Sequence, residues 1–322
     1  MTNHDFFEDL HADFEGLVAR LRSADAAARR IAVMDLAETA EAQAEPLLIG
    51  ALADADAEVR REAAVGLEQF DGLAVAQALA AALLDVDESV AAAAAASIAE
   101  LKSPEAAPPL LNLIGHASAA VRIAAWRGLR NLRVEPALAP GLEALKDAEP
   151  GVRREAVGVL GYLKHAAALP ALIAAARDEN FEVRRAAISA LAFAPQEATT
   201  ATVVTGLSDA QWQVREAAAV LAGKIGVAGA TASLRAALAD EVWQVRGKAA
   251  LALGKLKAAE SIPLLGGLLS HPVSNLRKDA ATALGEIGHA DALPYLEAVE
   301  NDPDPDVRKI ARWSIHLIRA GA

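Results

Sequence analysis

The sequence predicts an all-α repeat array, and three observations carry that expectation. Arginine returns every 31 residues, at Arg29, Arg60, Arg122, Arg153, Arg184, Arg215, Arg246, Arg277 and Arg308, and among ten copies only Ala91 breaks the row. A second row runs six residues ahead of the first and is mostly aspartate: Asp54, Asp85, Asp147, Asp178, Asp209, Asp240 and Asp302, with Ser23, His116 and His271 in the remaining copies. Proline and glycine keep the same register, at places where helices begin and end. A fixed period in this range, with no insertion, is the mark of stacked supersecondary units and not of a closed globule.

Taken in order, residues 1–22 read as a capping helix. Phe6, Phe7, Leu10, Phe14, Leu17, Val18 and Leu21 share one helical face, and Asp5, Glu8, Asp9, Asp13 and Glu15 lie off it. The stretch has neither a basic start nor an apolar run, so it does not read as a signal peptide. Residues 23–322 read as ten two-helix repeats forming one continuous solenoid with a C-terminal cap. The first helix of a repeat is marked by Leu-Pro-x-Leu or a close relative, as at Pro46, Pro108, Pro170, Pro263 and Pro294. Proline there belongs to a first turn, where a missing N–H costs little. The second helix opens on a capping residue such as Asp56 and carries an apolar stripe such as Val59, Ala63 and Leu67. Pro150 and Pro305 follow their caps directly, and Gly226 and Gly288 are expected to close their helices.

Two places depart from the pattern. The third repeat runs Val90 and then alanine from Ala91 to Ala96, which removes the arginine and much bulk. Pro195 to Thr205 is rich in β-branched residues, which predicts a weaker helix supported by its neighbours.

Composition narrows the possible functions. A hydrophobic share of 54% with only 4% aromatics, much of it Ala and Leu, suits closely packed helices. A net charge of −12 disfavours a general attraction to nucleic acid or to anionic membrane. Without cysteine there is no disulfide, thiolate metal site or cysteine nucleophile, and a cytoplasmic location is expected. No segment reads as membrane-spanning.

With Asp-x-x-x-x-Val-Arg-x-x-Ala-Ala-x-Ala-Leu-Gly and Leu-Pro-x-Leu in place, the chain resembles HEAT-repeat proteins, and most closely the short HEAT-like repeats named after phycocyanobilin lyases. Asp240 to Gly254 and Asp302 to Ile315 carry the motif well, Val90 to Ile98 poorly, and the resemblance covers about residues 23–318. It implies a right-handed α-solenoid whose Val-Arg helices line a concave face. It also implies a scaffold or binding module more often than an enzyme. None of His4, His11, His116, His165, His271, His289 and His316 stands in the His-Glu pairs of the di-iron HEAT hydroxylases. No metal site or cofactor is therefore expected. Gly-x-Ser-x-Gly and Gly-x-x-x-x-Gly-Lys-Ser/Thr are both missing, and no catalytic residues are assigned.

The concave helix should turn its first two residues toward the groove, with those one, two, five and nine after the arginine. In the first-residue row Phe181, Trp212 and Trp243 stand where most repeats carry Ala, Pro, Ser or Glu. Gln213 and Gln244 follow them. The row nine after the arginine adds Tyr162, Phe193, Lys224 and Lys255, and Lys248 adds charge. Gln211 and Val242 replace the usual capping Asp, which costs about 1 kcal/mol each. The reading is a non-enzymatic, protein- or peptide-binding scaffold whose groove anchors are Phe181, Trp212, Trp243, Tyr162, Phe193, Gln213, Gln244, Lys224, Lys248 and Lys255. The expected partner is partly acidic. The alternative is a phycobilin-lyase-like enzyme or accessory subunit. Single-stranded nucleic acid stacking on the aromatics is a third possibility, which the acidity disfavours.

Overall fold

The computed structural model describes residues 14–321, all of them helix, turn or loop, with no strand among them. The chain divides into two compact units, Met1–Leu163 and Lys164–Ala322. In the first, α1 covers residues 14–20. There follow α2 (Ala26–Thr39), α3 (Ala44–Ala51), α4 (Ala57–Gly66), α5 (Leu73–Ala82), α6 (Glu88–Ile98), α7 (Ala107–Leu111), α8 (Ala119–Leu132), α9 (Leu138–Ala144) and α10 (Pro150–Leu163). The second holds α11 (Leu169–Ala175), α12 (Phe181–Ala190), α13 (Gln196–Gly206), α14 (Trp212–Ile225), α15 (Thr231–Ala237), α16 (Trp243–Lys255), α17 (Ile262–Leu268), α18 (Ser274–Ile287), α19 (Leu293–Glu297) and α20 (Pro305–Gly321). Of the expected capping helix, α1 is described and buries Leu17, while residues 1–13 lie outside the described residues.

Each unit is a helical-repeat stack. In the first unit α2, α4, α6, α8 and α10 pack in series, each with its shorter partner α3, α5, α7 or α9 behind it. In the second, α12, α14, α16, α18 and α20 do the same over α13, α15, α17 and α19. The apolar stripes read from the sequence form the interior, with Val59, Ala63 and Leu67 almost fully buried. Burying one aliphatic side chain of this size is worth about 1.5–3 kcal/mol. Small residues set the spacing between helices. A Cβ added at Gly128 of α8 would stand 2.5 Å from Ile98 Cγ2, so only glycine lets α8 close on α6. Trp126, also on α8, is the largest fully buried side chain of the first unit.

The helix signals land where they were expected. Pro150 and Pro305 are first residues of their helices, and Pro170, Pro263 and Pro294 lie in first turns. Gly226 and Gly288 close α14 and α18 in the left-handed conformation, at φ 75°. The β-branched stretch does form a helix, α13. The hydroxyls of Thr199 and Thr200 donate to carbonyl oxygens one turn back, and Thr199 and Thr202 are buried.

The arginine and aspartate rows meet as a ladder. Arg29 donates through Nε and Nη2 to the Asp54 carboxylate of the next repeat at 2.7 Å each, and through Nη1 to the carbonyls of Ser23 and Ala24 in its own loop. Arg60–Asp85 and Arg122–Asp147 repeat this in the first unit; Arg184–Asp209, Arg215–Asp240 and Arg277–Asp302 repeat it in the second. Each carboxylate also accepts the N–H two residues on, such as that of Asp56 on Asp54. Planar guanidinium matched to carboxylate by two parallel bonds is the strong form of this interaction. Hydrogen bonding to Arg29, Arg60, Arg122 and Arg277 holds Asp54, Asp85, Asp147 and Asp302 below the usual carboxylate range.

Two rungs differ. Ala91 has no guanidinium to offer His116, and a cleft of about 590 Å³ opens there, lined by Asp85, Glu88, Ala95 and Ser118 among others. At the other, Arg246 meets His271, with Nη2 2.8 Å from Nε2. The Val273 N–H already donates to Nδ1 of the same ring at 3.1 Å. An uncharged imidazole has a single lone-pair nitrogen, so it cannot accept from both donors. Arg246 Nε is left buried without a partner. Aspartate at position 271 would satisfy all three donors. His271→Asp is expected to raise stability to chemical unfolding by about 1–2 kcal/mol, and a loss of stability would contradict this account of the rung.

Candidate functional site

Phe181, Trp212 and Trp243 begin α12, α14 and α16, helices packed side by side in the second unit. All three are half-buried, not exposed as the sequence suggested. Side chains on a helix lean back toward its N-terminus. A bulky ring at the first position therefore leans toward the loop that precedes its helix, and part of its surface is covered. Gln213 and Gln244 are half-buried too, with the Gln213 side-chain oxygen buried and unpartnered.

The expected weakness of the helix starts is only partly a mark of this region. Gln211 and Val242 make no side-chain cap, but neither do Ser118 before α8 and Val273 before α18. Asp209 and Asp240 still accept the N–H groups of Gln211 and Val242, as Asp178 accepts that of Asn180. By contrast Asn180, before α12, caps the N–H groups of Glu182 and Val183.

The other anchors separate. Phe193 is half-buried in the short 3₁₀ turn Leu191–Phe193 that ends the α12 segment. Lys224 and Lys255 are exposed in the last turns of α14 and α16, where a cation also complements the helix dipole. Lys248 is half-buried on α16. Tyr162 belongs to the first unit, on α10; the residue is 45% exposed, and the guanidinium carbons of Arg133 and Arg130 lie 5.5 and 6.0 Å from its ring centre.

Three groups were missed. Trp313 on α20 is 62% exposed, and its ring lies 6.1 Å from that of His316. It stands five after Arg308, in a row already assigned to the groove, so the register alone could have found it. Asp279 and Glu286 of α18 settle over glycines of α16. A Cβ at Gly247 would stand 2.4 Å from Asp279 Oδ2, and one at Gly254 would stand 2.9 Å from Glu286 Oε2. These carboxylates offset the lysines of α16, so the face is less basic than the lysines alone suggest. Lys257 fixes the corner by donating to the Glu286 carbonyl.

Burial pushes the Asp279 carboxyl above the usual range, with Lys248 and Lys278 pulling partly the other way. An acid whose pKa is raised by folding binds its proton more tightly in the folded chain, so its ionisation opposes folding above that pKa. Asp279→Asn is thus expected to raise the melting temperature at pH 7. The advantage should shrink as pH falls toward the ordinary carboxylate pKa of about 4. A lower melting temperature at pH 7 would show that the lysines hold the carboxylate productively.

No described helix is long and apolar enough to cross a membrane. No curated protein sequence matches the chain. Solved structures do. An engineered protein is 24% identical, with 95% of this chain and 99% of that chain covered at a TM-score of 0.52. The Escherichia coli protein YibA is 20% identical over 92% and 98%, at 0.54. A chain from a structure in which Kap95p binding induces the switch loops of RanGDP to adopt the GTP-bound conformation is 17% identical, at 0.61. This chain is covered over 95% there but spans about half of that one, 50%. These likenesses concern the fold. The family model for HEAT repeats matches residues 14–98, 79–144, 138–222, 182–245 and 231–316. With the repeat ladder and the paired helices it settles one point of identity: the chain belongs to the HEAT-repeat family.

Proposed function

We propose that this chain is a protein- or peptide-binding scaffold and that the second unit engages its partner through the face begun by Phe181, Trp212 and Trp243. One observation carries the reading. Three large aromatic residues occupy the same position in three consecutive repeats, where most other repeats carry Ala, Pro or Ser, and each keeps part of its surface open. Their packing gives a structural use for part of each ring. It does not explain why this position is aromatic in these three repeats and small in most others. Tryptophan is among the residues that interface hot spots draw on most. Lys224 and Lys255 stand exposed at the far ends of α14 and α16, which suits a partner with acidic residues. Kap95p, a protein with the same fold, has a protein partner in RanGDP.

Proteins retained by the immobilised chain provide the partner for the test. Wild type and the double variant Trp212→Ala/Trp243→Ala are compared for affinity, with circular dichroism and a thermal melt to confirm folding. The expected loss is about 2 kcal/mol or more, roughly 30-fold in Kd. A folded variant that binds as tightly as wild type would refute the assignment.

A further inference from the structure

The first unit carries a concentration of arginine that the ladder does not use. Arg127, Arg130 and Arg133 lie along α8, and Arg154 lies on α10 beside Glu155. Glu155 is only 5% exposed. Its carboxylate is held by Arg154 at 3.0 Å, with Arg127 at 3.5 Å and Arg130 at 3.8 Å. Apart from Arg154, that one buried carboxylate faces two guanidinium groups of α8, Arg127 and Arg130. Arg130 lays its stem across Gly158, where an added Cβ would stand 3.1 Å from its Cδ, and its Nε is buried without a partner. Arg133 closes α8 in the left-handed conformation at φ 52°, where α14 and α18 use glycine. Its guanidinium lies over the open ring of Tyr162.

We infer that this face of α8 and α10 is a docking site for an acidic peptide segment, with a carboxylate received between Arg127, Arg130 and Arg133 at the edge of the Tyr162 ring. The inference deepens the scaffold reading, and rests on it, by naming the chemistry of the partner and a place for it in the first unit. Charge complementarity selects the occupant. The chain carries −12 overall, so its long-range field repels an anion. Affinity for an acidic peptide must therefore come from a local site, and this cluster is a positive one inside an acidic molecule. Guanidinium matches carboxylate in plane and in spacing. The ring beneath Arg130 and Arg133 holds two of the forks in place without competing for their N–H groups. Glu155 plays the complementary part, orienting Arg127 and Arg130 from below while neutralising less than the charge around it.

The test uses the full chain and an acetylated, fluorescein-labelled hexaglutamate peptide, read by fluorescence anisotropy at several salt concentrations. A hexalysine peptide and an oligothymidylate of equal length serve as comparisons. Binding of hexaglutamate and not of hexalysine is expected, weakened at least tenfold by Arg127→Ala/Arg133→Ala. Arg133→Gly separates binding from folding. Glycine is the residue the left-handed position favours, so this variant should melt no lower than wild type and still bind the peptide several-fold more weakly. Lys146→Ala, an exposed cation outside both faces, should leave hexaglutamate binding unchanged. Because hexaglutamate binding is read separately from the partner affinity of Trp212→Ala/Trp243→Ala, failure here and failure of the aromatic face are told apart. Three outcomes overturn the inference: no hexaglutamate binding, equal binding by the arginine variants, or arginine-dependent binding of oligothymidylate in place of the peptide.

Discussion

Every repeat in this chain has to solve the same problem. A two-helix unit of 31 residues cannot bury its apolar face alone, so its stability lies in its neighbour. Apolar packing draws helices together but is tolerant of sliding, since Ala and Leu faces fit at more than one offset. The guanidinium–carboxylate rung removes that freedom. Arg215 holds Asp240 of the next repeat at 2.6 Å and also grips the Asp209 carbonyl in its own loop at 2.9 Å. Asp209 in turn is held by Arg184. Asp209 is therefore fastened twice, by its side chain to the preceding repeat and by its carbonyl to its own. So are Asp54, Asp147, Asp240 and Asp302, whereas Asp85 lacks the second hold because position 91 is alanine. Exposed ion pairs contribute little, but these are bidentate, mostly shielded from water and joined to backbone groups that would otherwise lack partners.

Departures from the ladder then acquire physical meaning. With Ala91 the rung is lost, and so is the aspartate it would have held, because His116 stands there; the result is a cleft instead of an unpaired buried charge. With Arg246 the guanidinium is kept and the aspartate lost, which leaves Nε stranded against an imidazole with too few lone pairs. An arginine without a carboxylate is left with an unmet buried donor, whereas a rung missing both is merely open. The ladder residue two positions earlier holds the loop N–H at the uncapped Gln211, Val242, Ser118 and Val273. It does the same at the capping Asp56 and Asn180, so this part of the loop is fixed whether or not a cap follows.

The fold was legible because it is written redundantly. Arginine, aspartate, proline and glycine all report one register, and an error in one is corrected by the others. The candidate site was less legible. Register places Phe181, Trp212 and Trp243 on neighbouring helices, but it does not tell how much of a first-turn ring is covered, so they were expected to be open and are half-buried. Lysines of α16 could be counted from the sequence. Their compensation by Asp279 and Glu286 depends on glycines 247 and 254 letting a neighbouring helix approach, which is a packing fact and not a local one. The arginine cluster of α8 and α10 escaped for a related reason. Arg127, Arg130 and Arg133 look like a solvated charge run until Glu155 and Tyr162 are brought under them by the neighbouring helix.

The central claim is that the rung couples adjacent repeats, and a double-mutant cycle on Arg215 and Asp240 measures that coupling most directly. Stability is determined for wild type, Arg215→Ala, Asp240→Ala and the double variant by denaturant unfolding. A coupling energy of about 1.5–3 kcal/mol is expected, as befits a hydrogen-bonded, charged and largely buried pair. Additive losses, with a coupling below about 0.5 kcal/mol, would mean that apolar packing alone sets the register and that the ladder is an ornament of the fold.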